Sequence, residues 1–275
     1  MNRRALRAGA DRFRTGARLA LASPDRLLLD FQLLFVLVYG TTCMVAAPRE
    51  DSDFFITSPS SLAMTFLMLV MVQSGTFAVA QAVLAARADG TLLRLRLLPG
   101  GLQAYVVEKC LHVLAVSAVS IGALLGLAFT VGGLSAGGPA ALPGALGSLV
   151  LGLLFFVALG LLLGAVLPAG GDLLSYSALA VYVPAALAGT GAAAFFPEPL
   201  RAAVRVLPFE WIANGVDAGL TGGTPLGFGG ADTWNPLAAA AVTAVWTALL
   251  LAAAVPLLRR MTRRASGSAP DRTRT

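Results

Sequence analysis

The sequence predicts an all-α integral membrane protein with six transmembrane helices and both termini in the cytoplasm. Of its 275 residues, 57% are hydrophobic and only 12% are charged, and the mean hydropathy is +0.79. Soluble domains carry roughly 25% charged residues, so this composition disfavours a water-exposed globular fold. The 14 Phe and 3 Trp residues, together with the shortage of charge, exclude an intrinsically disordered chain.

Stretches without Asp, Glu, Lys or Arg define the transmembrane helices, because a helix needs about 20 apolar residues to cross the hydrocarbon core. One stretch, 110–171, is too long for a single helix. Its Gly and Pro residues cluster at 132–144, which predicts a loop there. The predicted transmembrane helices are about 28–47, 60–85, 106–131, 145–167, 173–195 and 236–258.

Positively charged residues collect on one side of this arrangement, and the positive-inside rule makes that side cytoplasmic. They lie before the first span, in the connection between the second and third spans, and after the last span. Only Arg49, Arg201 and Arg205 lie in other connections, among acidic residues. We therefore expect a multi-pass protein of the cytoplasmic membrane. The excess of arginine over lysine and the abundance of alanine indicate a GC-rich, bacterial genome.

Two polar segments flank the membrane domain, 27–260. In segment 1–26, apolar residues recur between arginines at intervals of three and four, which predicts an amphipathic helix on the inner membrane surface. Those residues are Leu6, Ala10, Phe13, Ala17 and Leu21. A solvated basic tail is the alternative, whereas a cleaved signal peptide is disfavoured because the segment is too long for an n-region. The tail 261–275 is polar and is predicted to be disordered.

The residue types that catalysis or metal binding requires are scarce. The chain has two cysteines, Cys43 and Cys110, one histidine, His112, and one lysine, Lys109. It contains no Gly-x-Ser-x-Gly turn, HExxH pair or Walker A loop. We therefore expect neither an enzyme nor a metal site, and no cofactor bound by this chain. No nucleic-acid partner is expected either, because the basic residues flank apolar runs.

The connection between the second and third spans is the most informative stretch of the sequence. Gly90 is suited to a left-handed cap at the end of the second span, and Thr91 to the N-cap of a new helix. Pro99 and the two glycines after it end that helix after about two turns rich in Leu and Arg. Such a helix either inserts into a groove on a soluble partner or lies on anionic lipid.

This connection resembles that of the permease subunits of the ABC-2 family of ABC exporters. The shared pattern is a charged segment, Gly-Thr-Leu, a basic-apolar stretch, Pro, and then Tyr and Lys at the start of the third helix. Its counterparts here are Asp89, Gly90-Thr91-Leu92, Leu95-Arg96, Pro99, Tyr105 and Lys109. The sequence departs from the family in having Ala-Arg-Ala-Asp where members commonly carry more acidic residues.

A second resemblance lies before the last span, in the segment Leu207-Pro208-Phe209-Glu210-Trp211-Ile212-Ala213-Asn214-Gly215-Val216-Asp217. It is similar to an external segment of the family that forms short re-entrant helices. Pro208, Trp211, Asn214 and Asp217 match the pattern, whereas Gly215 stands where the family has proline. An ordinary external loop is the alternative.

The resemblance implies a permease that pairs with a second permease copy, or a close relative, and with ABC ATP-binding subunits that bind ATP and Mg. Closure of those subunits would push on the connection between the second and third spans, which we call the coupling connection. The residues assigned to that connection are Arg87, Asp89, Gly90, Thr91, Leu92, Arg94, Arg96 and Pro99. The expected function is efflux of a hydrophobic or amphipathic drug, antibiotic or lipid. The alternative is a stand-alone six-helix carrier or channel that does not use ATP.

Three polar residues of the second span are candidates for the substrate pathway. In an α-helix, Ser74 and Gln81 lie nearly on one face, and Gln73 lies about 100° away. They either line the pathway or join two helices by hydrogen bonds. The absence of charge along the spans favours a substrate that is not strongly ionic.

Overall fold

The computed structural model describes residues 31–46, 59–97, 101–134, 137–139, 141–168, 173–223 and 235–264, together with Asp11. Apart from Asp11, the predicted interfacial helix over 1–26 lies outside the described residues, as do Pro99 and the tail beyond Arg264. The backbones of Leu92 and Arg96 are described, whereas their side chains are not.

All regular elements in the described part of the chain are helical. In chain order they are α1 (Phe31–Ala46), α2 (Pro59–Met71), a π-helical segment (Val72–Phe77), α3 (Ala78–Ala88), α4 (Thr91–Arg96), α5 (Gly101–Thr130), α6 (Leu142–Val166), α7 (Leu173–Thr190), a 3₁₀ turn (Ala192–Phe195), α8 (Glu198–Val206), α9 (Pro208–Thr221) and α10 (Pro236–Arg264). α2, the π-helical segment and α3 follow one another without a break and form one long helix.

Five helical stretches of the described chain are long and apolar enough to cross a membrane. They are Ser60–Ala88, Gln103–Thr130, Leu142–Val166, Leu173–Thr190 and Pro236–Leu258. They coincide with the second to sixth predicted spans, and they make a multi-pass membrane arrangement possible. The apolar part of α1, Leu34–Met44, is shorter than these. The first of the six predicted spans, 28–47, therefore stays a prediction. The cytoplasmic location of the two termini stays a prediction as well.

Two helix ends differ from those expected. α7 ends at Thr190, before the predicted boundary at 195, because Gly191 takes a left-handed conformation with φ 72° and a 3₁₀ turn follows. α10 continues to Arg264, so residues 261–264 are helical although the sequence placed them in a disordered tail. Both differences reflect local helix capping. Gly191 ends α7 early, whereas the arginine-rich end of α10 contains no glycine that would stop the helix.

α6 lies at the centre of the bundle and packs against the π-helical segment, α3, α9 and α10. Two glycines permit this close packing. A Cβ atom at Gly160 would lie 2.5 Å from the carbonyl oxygen of Thr76, and one at Gly164 would lie 2.7 Å from Cβ of Val83. Small residues at such positions let the backbones of two helices approach each other.

The π-helical segment was not predicted, and it changes which residues share a face. A Cβ atom at Gly75 would lie 2.5 Å from Cβ of Phe156, and the hydroxyl of Thr76 donates a hydrogen bond to the carbonyl of Phe156 at 3.2 Å. A π-helical turn holds one extra residue, which rotates the following helix by about 100° relative to the preceding one. The second span therefore presents its polar residues differently from an uninterrupted α-helix.

Candidate functional site

The short helix α4 connects the second and third spans, as the sequence predicts, but its cap differs. Gly90 has the expected left-handed conformation, with φ 69°. The N-cap of α4 is Gly90 itself, and Thr91 is the first helical residue rather than the cap. α4 packs against α3, α5 and α10, and the side chain of Leu95, 7% exposed, anchors it. Among the side chains of α4 that the structure describes, that of Leu95 is therefore the one that packs into the bundle.

The outer face of α4 carries exposed side chains. Thr91, Arg94 and Leu97 follow one another at intervals of three residues, so they lie on neighbouring parts of one helical face. The side chain of Leu97 is 84% exposed. Asp89, just before α4, is exposed as well. This mixed basic and apolar face is chemically suited to a groove on a partner protein or to a lipid surface.

Arg87 does not belong to that outer face. Its guanidinium Nη1 donates hydrogen bonds to the carbonyl oxygens of Gly164 and Leu167, at 2.9 and 2.5 Å. These carbonyls lie at the C-terminal end of α6, where a helix has unsatisfied acceptors and a partial negative charge. Arg87 therefore links α3, immediately before the connection, to the central helix of the bundle. This link is structural, and the sequence did not reveal it.

Tyr105 and Lys109, the two residues that the resemblance places at the start of the third helix, lie one turn apart on α5. The Nζ atom of Lys109 is 5.4 Å from the centre of the Tyr105 ring and 3.8 Å from a carboxylate oxygen of Glu108. Tyr105 itself is buried. The pair therefore stabilises the beginning of α5 beside α4.

An open groove of about 320 Å³ lies between the second span and α7. Its lining residues are Gln73, Phe77, Gln81, Leu174, Ser175, Ala178 and Tyr182. The rings of Phe77 and Tyr182 stack with their centres 5.1 Å apart, and the Tyr182 hydroxyl donates a hydrogen bond to the side-chain oxygen of Gln73. The lining offers amide, hydroxyl and aromatic groups but no charge, which is suitable for a neutral amphipathic molecule.

The three polar candidates of the second span are divided between two faces. Gln73 and Gln81 line the groove together, because the π-helical segment between them brings them to one face. Ser74, which an α-helix would place beside Gln81, is buried instead. Its hydroxyl accepts a hydrogen bond from Ser117 of α5 at 2.8 Å and donates one to the carbonyl of Val70. Ser74 therefore joins two helices and lies outside the groove.

The segment before the last span forms a helical hairpin, which we call the outer hairpin: α8, Leu207 and α9. Its first helix is amphipathic and exposed, and its second is almost completely buried against α6, α7 and α10. Pro208 lies in the first turn of α9, where its missing N–H costs no hydrogen bond. The burial argues against an ordinary loop on the molecular surface. Whether α9 enters a membrane stays a prediction.

Two tryptophans fix the junction between α8 and α9. The indole N–H of Trp211 donates to the carbonyl of Arg205 at 2.7 Å, and that of Trp246, on α10, donates to the carbonyl of Val206 at 2.8 Å. The side-chain amide of Asn214 donates to the carbonyl of Glu210 at 2.8 Å. Asn214 and Asp217 are both buried. All four predicted residues of this segment therefore lie on one helix, three of them facing the interior.

Glu210 is the residue of this segment that the sequence analysis missed. It is 1% exposed, and neither of its carboxylate oxygens accepts a hydrogen bond from the described part of the chain. Burial raises the pKa of its carboxyl from 4.5 to about 7, and the positive charges of Arg205 and Arg201 oppose that shift. Its spacing from Asn214 and Asp217, at i+4 and i+7, was a signal that these polar residues share one buried face.

The remaining reactive residues are scattered. Cys43 is buried, Cys110 is half-buried, and His112 is exposed on α5. Within the described residues, no three His, Cys, Asp or Glu side chains are placed to hold a metal ion.

Comparison with known proteins finds no matching family model, no matching curated protein and no matching solved structure. None of these comparisons identifies the chain as an ABC-2 permease, so the resemblance of the two sequence segments to that family stays a prediction.

Proposed function

We propose that this chain is the permease subunit of an ATP-driven exporter, working with a separate ATP-binding subunit and a second permease copy in the cytoplasmic membrane. The observation that carries the proposal is the exposed face of α4, formed by Thr91, Arg94 and Leu97, on a helix whose other side is anchored in the bundle. A helix held on one side presents its free side to a partner without having to unfold.

The proposed mechanism begins with a push on α4 when the ATP-binding subunits close. α4 follows α3 directly through Asp89 and Gly90, so a displacement of α4 reaches the second span. The hydrogen bonds from Arg87 to Gly164 and Leu167 carry the same displacement to α6. The two helices that would move, the second span and α6, pack against each other in the centre of the bundle. The second span also lines the groove.

The proposed cargo is a neutral hydrophobic or amphipathic small molecule, such as a drug, an antibiotic or a lipid. Gln73, Gln81 and Ser175 supply hydrogen-bonding groups in the groove, and Phe77 and Tyr182 supply an aromatic surface. A charged cargo would have to leave water without a counter-charge among these residues, which is energetically unfavourable. In this proposal ATP and Mg are bound by the partner subunit and not by this chain.

The deciding experiment is a pull-down of tagged protein from native cells in mild detergent, with mass spectrometry of the bound proteins. We expect an ATP-binding subunit in stoichiometric amount, and we expect Arg94→Glu with Arg96→Glu to remove it while membrane insertion stays normal. A matched control, Arg263→Glu with Arg264→Glu, makes the same change of charge at the end of α10 and should retain the subunit.

Two results would overturn the proposal. One is unchanged binding of the ATP-binding subunit by the Arg94 and Arg96 double variant. The other is recovery of the chain alone in several detergents, together with solute flux in liposomes that contain only this chain. The second result would establish the stand-alone carrier instead.

A further inference from the structure

The carboxyl of Glu210 is enclosed at the point where the outer hairpin bends. α8 ends at Val206, Leu207 has an extended backbone, and α9 begins at Pro208, so Glu210 lies in the first turn after the bend. The side chain is 1% exposed, and neither carboxylate oxygen accepts a hydrogen bond from any described residue. An ionised carboxylate in such a place lacks the donors that normally compensate for lost water.

The charged neighbours of Glu210 are few. α8 contributes Arg201 and Arg205, and its Glu198 is exposed and 3.4 Å from Arg201. α9 itself contributes Asp217, two turns further along.

The helices packed against α9 add little charge. α2 and α6 contain no ionisable side chain, and α7 contains only tyrosines. The basic residues of α10 begin at Arg259, near the opposite end of that helix from Trp246 and the hairpin. Two arginines on one adjoining helix are thus the positive charges near this carboxyl in the described chain.

We propose that Glu210 is a proton-binding site, and that the bound proton holds α9 packed against the bundle. The step is a simple acid–base equilibrium: the carboxyl O–H bond breaks, the electron pair stays on the carboxylate, and the proton passes to water. When the proton is bound, a neutral acid is buried. When the proton leaves, the new charge is drawn towards water and towards Arg205 and Arg201, which loosens the bend between α8 and α9. This inference does not rest on the proposed transport function.

The direction of the pH effect follows from the shift in acidity. The pKa of Glu210 is about 7 in the folded protein and 4.5 for an unperturbed carboxyl, so the folded state binds the proton more tightly than the unfolded state. The stabilisation due to this proton is complete below pH 4.5 and is lost as the pH rises through about 7. The hairpin is therefore tight on the acidic side of neutrality and loose on the alkaline side.

Tryptophan fluorescence of the full chain in detergent micelles provides the test. Trp211 and Trp246 both hydrogen-bond to backbone carbonyls at the bend, and the third tryptophan, Trp234, is outside the described residues. In a Trp234→Phe background, we expect the emission to change with a midpoint near pH 7 when pH is varied from about 5 to about 9.

Three variants make the test specific. Glu210→Gln, a neutral side chain of the same shape, should abolish the transition and keep the acidic-side spectrum at all pH values. Arg205→Gln should move the midpoint to higher pH, because a positive charge that favours ionisation is removed. Glu198→Gln, which neutralises the exposed carboxylate of the same hairpin, should leave the transition in place.

Folding of each variant is checked by gel filtration and far-UV circular dichroism in the same detergent. The proposal is overturned if the well-folded parent shows no transition near neutrality, or if the transition persists unchanged in Glu210→Gln. If Arg205→Gln left the midpoint of the transition unchanged, the transition would belong to another group, and the proposal would again be overturned.

Discussion

The connection around α4 and the outer hairpin are both short helical segments between longer apolar helices, yet they treat charge in opposite ways. On α4 the charged side chain of Arg94 faces outward, and the buried anchor is the apolar Leu95. On α9, the second helix of the outer hairpin, the polar side chains of Glu210, Asn214 and Asp217 face inward. An exposed charge stays solvated and is available to a partner, whereas a buried one must be compensated within the fold. Stability should therefore depend on the hairpin residues and partner binding on those of α4.

The largest expected effect comes from removing the buried charge of the hairpin. At about pH 8 we expect Glu210→Gln to raise the free energy of unfolding by about 3 kcal/mol, since one pKa unit corresponds to about 1.4 kcal/mol and the pKa of Glu210 rises from 4.5 to about 7. Near pH 4.5 the parent is already protonated, so the two proteins should be equally stable. Unfolding in detergent by increasing SDS, at both pH values, measures this. If Glu210→Gln raised the free energy of unfolding equally at both pH values, the stabilisation would not come from removal of the charge.

The second effect tests how tightly the hairpin packs. A Cβ atom at Gly219 of α9 would overlap the backbone of Ala145 on α6. We expect Gly219→Ala to lower the free energy of unfolding by about 1 to 3 kcal/mol, the usual cost of overpacking a buried contact. The matched control is Gly122→Ala, because a Cβ atom at Gly122 of α5 meets open space. Equal losses in the two variants would contradict the close approach of α9 to α6.

These positions also show what the sequence could and could not predict. The runs without charge located five long apolar helices to within a few residues, because length and hydrophobicity alone fix a membrane helix. The π-helical segment depends on contacts of Gly75 and Thr76 with Phe156, far away in the chain, so local pattern could not reveal it. Without it, Ser74 was expected beside Gln81 on one helical face.

The candidate site was predicted in part for the same reason. Gly90 as a left-handed cap is a local property, and the structure confirms it. The roles of Arg87 and Glu210 are not local. Arg87 was assigned to the coupling connection because of its position in the chain, but its hydrogen bonds lead to the end of α6. Glu210 was overlooked because an acidic residue in a connection between two spans is ordinarily exposed.

Arg87 lies at the boundary between the two kinds of region and should show an intermediate effect. Arg87→Gln removes two hydrogen bonds to carbonyls at the end of α6. Since hydrogen bonds from charged groups contribute about 1.5 to 3 kcal/mol, we expect a loss of about 1.5 kcal/mol because Gln can replace one of them in part. SDS unfolding of Arg87→Gln and of Arg94→Gln side by side gives the comparison. Equal free energies of unfolding of the two variants would contradict the interpretation that Arg87 links α3 to α6.

The smallest effect on stability is expected on the outer face of α4, where binding should change most. Arg94→Gln and Thr91→Ala alter exposed side chains without a described hydrogen bond to the bundle, so each should change the free energy of unfolding by no more than about 0.5 kcal/mol. If the proposed ATP-binding subunit docks on α4, Arg94→Gln should weaken its retention in the same preparations, whereas Glu210→Gln should retain it fully. If Arg94→Gln destabilised the fold as much as Arg87→Gln does, loss of the partner would be explained by unfolding. Normal stability combined with lost binding would instead locate the partner contact on α4. Loss of a surface contact weakens retention of the partner without changing the free energy of unfolding.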